Sequence, residues 1–128
     1  MTPVEQVHAM WSAFASGGAL ASLELVAEDC EWLPSPDFPD AAAVRGALAM
    51  REYLERLTEE GVRFEPTLHA CEQVADDAVL AAGRMRIVSP SVLSDSPHFW
   101  LYRLRDGRVV RVEAYATRQD ALNAAGSR

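Results

Sequence analysis

The sequence predicts an α+β fold in which helices pack on one face of a strongly bent antiparallel sheet. Three observations carry that prediction. Apolar residues recur at helical spacing in the first half of the chain, they alternate at strand spacing over much of residues 64–116, and the order is helix, helix, strand, helix, then four strands. Helices gathered ahead of a run of hairpin-joined strands have a single sheet face on which to bury their apolar stripes.

Taken in order, Thr2-Pro3-Val4-Glu5 combines an N-cap threonine, a proline at the first helical position and a glutamate placed for a capping box, so a helix starts there. Val4, Val7, Trp11 and Phe14 form its stripe, which stops before Gly17-Gly18. A second short helix follows, with Leu20, Leu23 and Val26 inward and Glu24 outward. Residues 30–33 read as a short strand, stopped by Pro34, Pro36 and Pro39 in a loop that also holds Asp37 and Asp40 and is the expected mouth or lid. Met50, Leu54 and Leu57, with Arg51, Glu55 and Glu59 opposite, mark a third helix over residues 47–60, ended by Gly61. Residues 64–74 and 79–88 read as strands turning at Asp76-Asp77, and the Ser/Pro-rich stretch 89–97 reads as a loop. Thr117 and Asp120 cap a last helical turn or two before Gly126.

Between them, residues 98–116 form a hairpin that turns at Asp106-Gly107. A two-residue type I′ turn sets Trp100 against Glu113 and mixes apolar with charged groups on both faces. A three-residue loop with a left-handed Gly107 instead pairs Trp100 with Val112 and gathers His98, Trp100, Tyr102, Leu104, Val110, Val112, Ala114 and Ala116 on one face. We take the second register. Its other face, with Phe99, Leu101, Arg103, Val109, Arg111, Glu113 and Tyr115, is too polar for a core and too apolar for plain solvent, which suits the subunit interface of a homodimer, formed through Phe99, Leu101, Arg111, Glu113 and Tyr115.

At 128 residues the chain is long enough for one core and short for two, so residues 1–128 are expected to form a single domain. No apolar run approaches the roughly 18–20 residues of a membrane span and the N-terminus carries no signal-like segment, so a soluble, cytoplasmic protein is expected. A net charge of −7 opposes phosphate backbones and anionic lipid, which argues against nucleic-acid or membrane partners. Every basic residue is arginine, which excludes Schiff-base chemistry through lysine. Cys30 and Cys71 are read as free thiols, and His8 and His69 have no second ligand at metal spacing, so neither a metal nor a cofactor is expected.

The order of elements, the block Ala27-Glu-Asp-Cys-Glu-Trp32, Val44-Arg-Gly46 opening the third helix and Tyr-Arg-Leu-Arg-Asp-Gly-Arg-Val-Val-Arg-Val-Glu-Ala-Tyr over 102–115 together resemble the nuclear transport factor two-like superfamily, and within it the SnoaL-like group of small bacterial proteins. The resemblance spans nearly the whole chain. It implies a cone-shaped α+β barrel, an apolar pocket between helices and concave sheet, commonly a homodimer, and chemistry of the ketosteroid isomerase or polyketide cyclase type. Yet the positions that carry the isomerase's tyrosine, base carboxylate and protonated aspartate fall, within one residue, on Met10, Pro34 and Trp100, and its supporting tyrosines on Val26 and Leu54. The cyclase's histidine and aspartate fall on Trp100 and Ala114. None of these side chains moves a proton.

The polar candidates left are His98 and Tyr102, two residues either side of Trp100 on the presumed pocket face, and Asp37 in the proline-rich loop as a displaced base. The plain alternative puts His98 in water at the strand's open end, Tyr102 in the core and Asp37 in a turn. Met10, Trp11, Phe14, Trp32, Tyr53, Leu54, Trp100, Val112 and Ala114 are the expected pocket walls, suited to a small apolar or aromatic ligand, although a filled core asks for the same residues. Arg84 and Arg86 share one strand face, toward either the pocket or the rim. The expected function is therefore a small-molecule pocket, serving either a cofactor-independent isomerase, cyclase or dehydratase acting on a polyketide-like or aromatic substrate, or a non-catalytic binding protein.

Overall fold

The computed structural model describes residues 1–34, 42–91 and 93–126. Its order is α1 (Pro3–Ser22), a single 3-10 turn (Leu23–Leu25), β1 (Val26–Leu33), β2 (Val44–Arg45), α2 (Ala47–Glu59), β3 (Arg63–Ala75), β4 (Ala78–Val88), β5 (Leu93–Arg105), β6 (Arg108–Tyr115) and α3 (Arg118–Gly126). The strands form one open sheet in the order β2-β1-β6-β5-β4-β3, antiparallel except where β1 runs parallel to β6. Among the described residues no helix is long and apolar enough to cross a membrane.

The capping box forms as expected: the Glu5 amide donates to Thr2 Oγ1 at 3.1 Å and the Thr2 amide to Glu5 Oε1 at 2.8 Å. The expected second helix is the end of the first. α1 continues through a kink at Gly18, whose φ of 81° only glycine adopts cheaply, and the 3-10 turn then delivers Val26 into β1 rather than into a helix. β5 likewise begins at Leu93, inside the stretch read as a loop. β6 pairs with β5 only as far as Phe99↔Tyr115, so Pro97 lies where β5 has β4 as its sole neighbour and its missing N–H removes no bond on the other side.

The hairpin resolves the choice of turn differently from the expectation. Arg105 pairs with Arg108 across a two-residue turn in which Asp106 and Gly107 have φ of 52° and 76°, the type I′ signature. The register then slips between Arg103 and Leu104, leaving Val110 as an extra residue on β6. Trp100 therefore faces Ala114, and Tyr102 faces Val112. The bulge restores the apolar parity of β5: His98, Trp100, Tyr102 and Leu104 are all buried. On β6 it exchanges two neighbours, so Val109 enters the core and Val110, expected inside, lines a charged groove outside.

α1 and α2 cover the concave face, where Val7, Leu54, Leu57, Val79, Met85, Ile87 and Trp100 share one core. The convex face is covered in part by α3. Thr117 caps this helix by accepting from the Asp120 amide, Ala121 is fully buried, the Arg103 guanidinium donates to the Ala124 carbonyl at 2.8 Å, and Arg118 pairs with Glu72. Leu80 and Leu101, cross-strand neighbours on that face, are 2% and 0% exposed. Leu101 thus has no surface left for a partner subunit. Arg84 and Arg86 lie on this outer side as well, paired with Asp95 at 3.1 Å and Glu65 at 3.3 Å, and away from the concave space.

Candidate functional site

Between α1, α2 and the concave sheet lies an apolar cavity of about 130 Å³. α1 and the turn after it contribute Met10, Trp11, Phe14, Ala19, Ser22 and Leu23; α2 contributes Met50 and Leu54; the strands contribute Val26, Trp32, Phe64, Pro66, Met85, Trp100, Tyr102 and Val112. The spacing of Met10 and Phe14 on one helix face and the alternation of Trp100 and Tyr102 on one strand face place these side chains around a common space. Trp11 meets Trp100 edge to face, with centroids 5.1 Å apart and planes at 75°, which fixes both rings in the wall. For comparison, an apolar cavity of roughly 150 Å³ holds one benzene.

Of the expected wall residues, Met10, Trp11, Phe14, Trp32, Leu54, Trp100 and Val112 line this space. Tyr53 and Ala114 do not. Tyr53 is buried behind the wall, edge-on to Trp32 at 5.4 Å and beneath the Arg56 guanidinium at 5.2 Å, while Ala114 packs against the core. Met50, Phe64, Pro66 and Met85 were missed. The signal existed: Met50 precedes Leu54 by one helical turn, and the alternation Arg84-Met85-Arg86 points Met85 away from the two charges.

Tyr102 lies on the lining; burial pushes its phenol well above the ordinary tyrosine range, an effect only partly offset by the nearby Trp11 indole. It stays protonated at neutral pH. His98 is 2% exposed rather than in water, tilted against Trp100 at 5.0 Å and opposite Gly83, but it does not contribute to the cavity lining. Asp37 lies outside the described residues, as does the proline-rich loop beyond Pro34. Cys30 and Cys71 are free; burial, with Asp29 and Glu31 beside it, pushes the Cys30 thiol up to about 12, which leaves it inert. Among the described residues no three His, Cys, Asp or Glu side chains converge in a way that could hold a metal.

The outer groove beside the bulge is built differently. Arg111 pairs with Glu113 at 3.1 Å and Glu31 at 3.8 Å, Arg105 pairs with Asp29 at 3.1 Å, and Tyr115 donates a short hydrogen bond to Glu113. Burial, reinforced by Glu113, raises Tyr115 to about 12. These groups answer one another's charges.

Residues 7–112 match the family model described as SnoaL-like domain. The chain belongs to the SnoaL-like family. This SnoaL-like chain shares its fold with an NTF2-like protein of Burkholderia thailandensis (24% identity, TM-score 0.78, covering 99% of this chain and 97% of that one). It is also similar to Bal32a, from a soil-derived mobile gene cassette (22% identity, TM-score 0.75, 95% and 94% covered). An LEH-like epoxide hydrolase of M. tuberculosis is similar as well (17% identity, TM-score 0.70, 94% and 86% covered). At these identities the likeness is one of fold. No curated protein matches it by sequence.

Proposed function

We propose that this protein binds one small, flat, apolar molecule in the cavity between α1, α2 and the concave sheet, and performs no proton transfer on it. One observation carries the reading: apart from Ser22 the cavity is walled by aromatic, aliphatic and thioether side chains, and no Asp, Glu, His, Lys or Arg is among the described lining residues. Moving a proton on and off a substrate needs at least one group that takes a proton near neutral pH. The size of the space favours a single six-membered ring over a polycycle. An isomerase, cyclase or dehydratase is the second reading, favoured by Tyr102 on the wall, but a phenol held protonated cannot act as the base.

Toluene is the test. At a hundredfold excess over its dissociation constant it is expected to add about 2.7 kcal/mol to stability, seen as a rise in thermal midpoint. An unchanged midpoint in toluene-saturated buffer contradicts the proposal. A homodimer belongs to the same proposal, formed across the part of the outer face that α3 leaves open, where Phe99 and Tyr115 are cross-strand neighbours. Sedimentation equilibrium is expected to give twice the chain mass; a monomer at every accessible concentration would sink it.

A further inference from the structure

The cavity is apolar except at one point, and that point says something about its occupant. Ser22 lines the space, but its hydroxyl donates to the Ala19 carbonyl at 2.6 Å. Trp32 is held edge-on by Tyr53. That leaves the neighbouring pair Trp11 and Tyr102, both on the lining. The Trp11 Nε1–H shares the lining with Tyr102, is buried, and completes no hydrogen bond among the described residues.

An indole N–H can only donate, so the Tyr102 hydroxyl can meet it only through its lone pairs, which leaves the phenolic proton for another acceptor. A buried donor left without an acceptor is costly, and phenylalanine at either position would fill the same wall without that cost. Among the described residues the lining carries no cation to attract an anion. A neutral acceptor atom arriving at Tyr102 would draw out the phenolic proton, sharpen the oxygen as an acceptor and let Trp11 complete its own bond.

We infer that the Tyr102 hydroxyl, set in place by the Trp11 indole, donates to the ligand, and that the ligand is a neutral single-ring molecule bearing one acceptor oxygen, such as a carbonyl, on an otherwise apolar frame. The inference rests on the cavity being a binding site. It is separable from that reading by two probes of the same shape, benzaldehyde and styrene, which differ in a carbonyl against a vinyl group.

In NMR titrations of the full chain, benzaldehyde is expected to bind about five-fold more tightly than styrene, the worth of one neutral hydrogen bond. Tyr102→Phe is expected to bring the ratio of benzaldehyde to styrene affinity down to about one. Trp11→Phe, which keeps the phenol, should narrow the gap. Equal binding of the two probes by the parent protein overturns the donor role and leaves the cavity standing. A preference that survives Tyr102→Phe overturns it too, by assigning the donor elsewhere. Failure of both probes to bind removes the binding site, and this inference with it.

Discussion

Gly83→Ala is expected to lower the unfolding free energy by about 3 kcal/mol, the upper end of what overpacking a tight site costs, and the thermal midpoint by roughly 10 °C. A Cβ on Gly83 would stand 1.8 Å from the Thr67 carbonyl oxygen, 2.9 Å from its carbon and 3.2 Å from the Leu68 Cα. All three are backbone atoms, so no side-chain rotation relieves the clash. The register between β3 and β4 slips just beyond, between Leu68 and Ala70, and this bulge folds the edge strand over β4. A glycine in a strand interior marks such a close approach. Gly126→Ala is the control, because a Cβ there meets nothing within 4 Å. Thermal unfolding followed by circular dichroism decides the matter; a Gly83→Ala midpoint within about 2 °C of the parent would mean that the sheet does not bend there.

Trp100→Ala is expected to cost about 4 kcal/mol, the range for removing a buried tryptophan, out of a total that for such domains is roughly 5–15 kcal/mol. Trp100 is 5% exposed, meets the Trp11 edge at 5.1 Å and His98 at 5.0 Å, and sits opposite Ala81 and Ala114 on its two neighbouring strands. Small residues on both sides leave the indole as the filler of that part of the concave face. Its loss removes the aromatic pair, opens a hole that alanines cannot close, and destroys a cavity wall. Urea unfolding should show a lower midpoint at unchanged slope. A loss below about 1 kcal/mol would place Trp100 outside the packed core.

The sequence showed the fold's parity better than its register. Alternation alone put Trp100, Tyr102 and Leu104 inside, because a strand with one buried face tolerates no other phase. It could not show how the Asp-Gly turn and that phase are reconciled, since a type I′ turn with a later bulge and a longer turn without one give the same parity on β5. They differ on β6, which is why Val109 and Val110 exchange sides. The start of β5 was hidden for another reason. Among the described strands residues 93–97 pair with β4 and not with β6, so serine and proline cost little there and leave no apolar run to read. The helical cavity walls were legible from spacing, whereas Pro66 and Phe64 entered through an edge strand at a point where Arg63, Glu65 and Thr67 alternate with them.

The most direct test of an apolar ligand site between α1, α2 and the sheet uses the methionines. Met10, Met50 and Met85 line the cavity from three different elements, and Met1 is 79% exposed. In a protein labelled with 13C at the methionine methyls, toluene is expected to shift the Met10, Met50 and Met85 resonances together, along a common saturation curve, and leave Met1 in place. Saturating toluene that moves none of the three, or moves Met1 as much as the others, would contradict it.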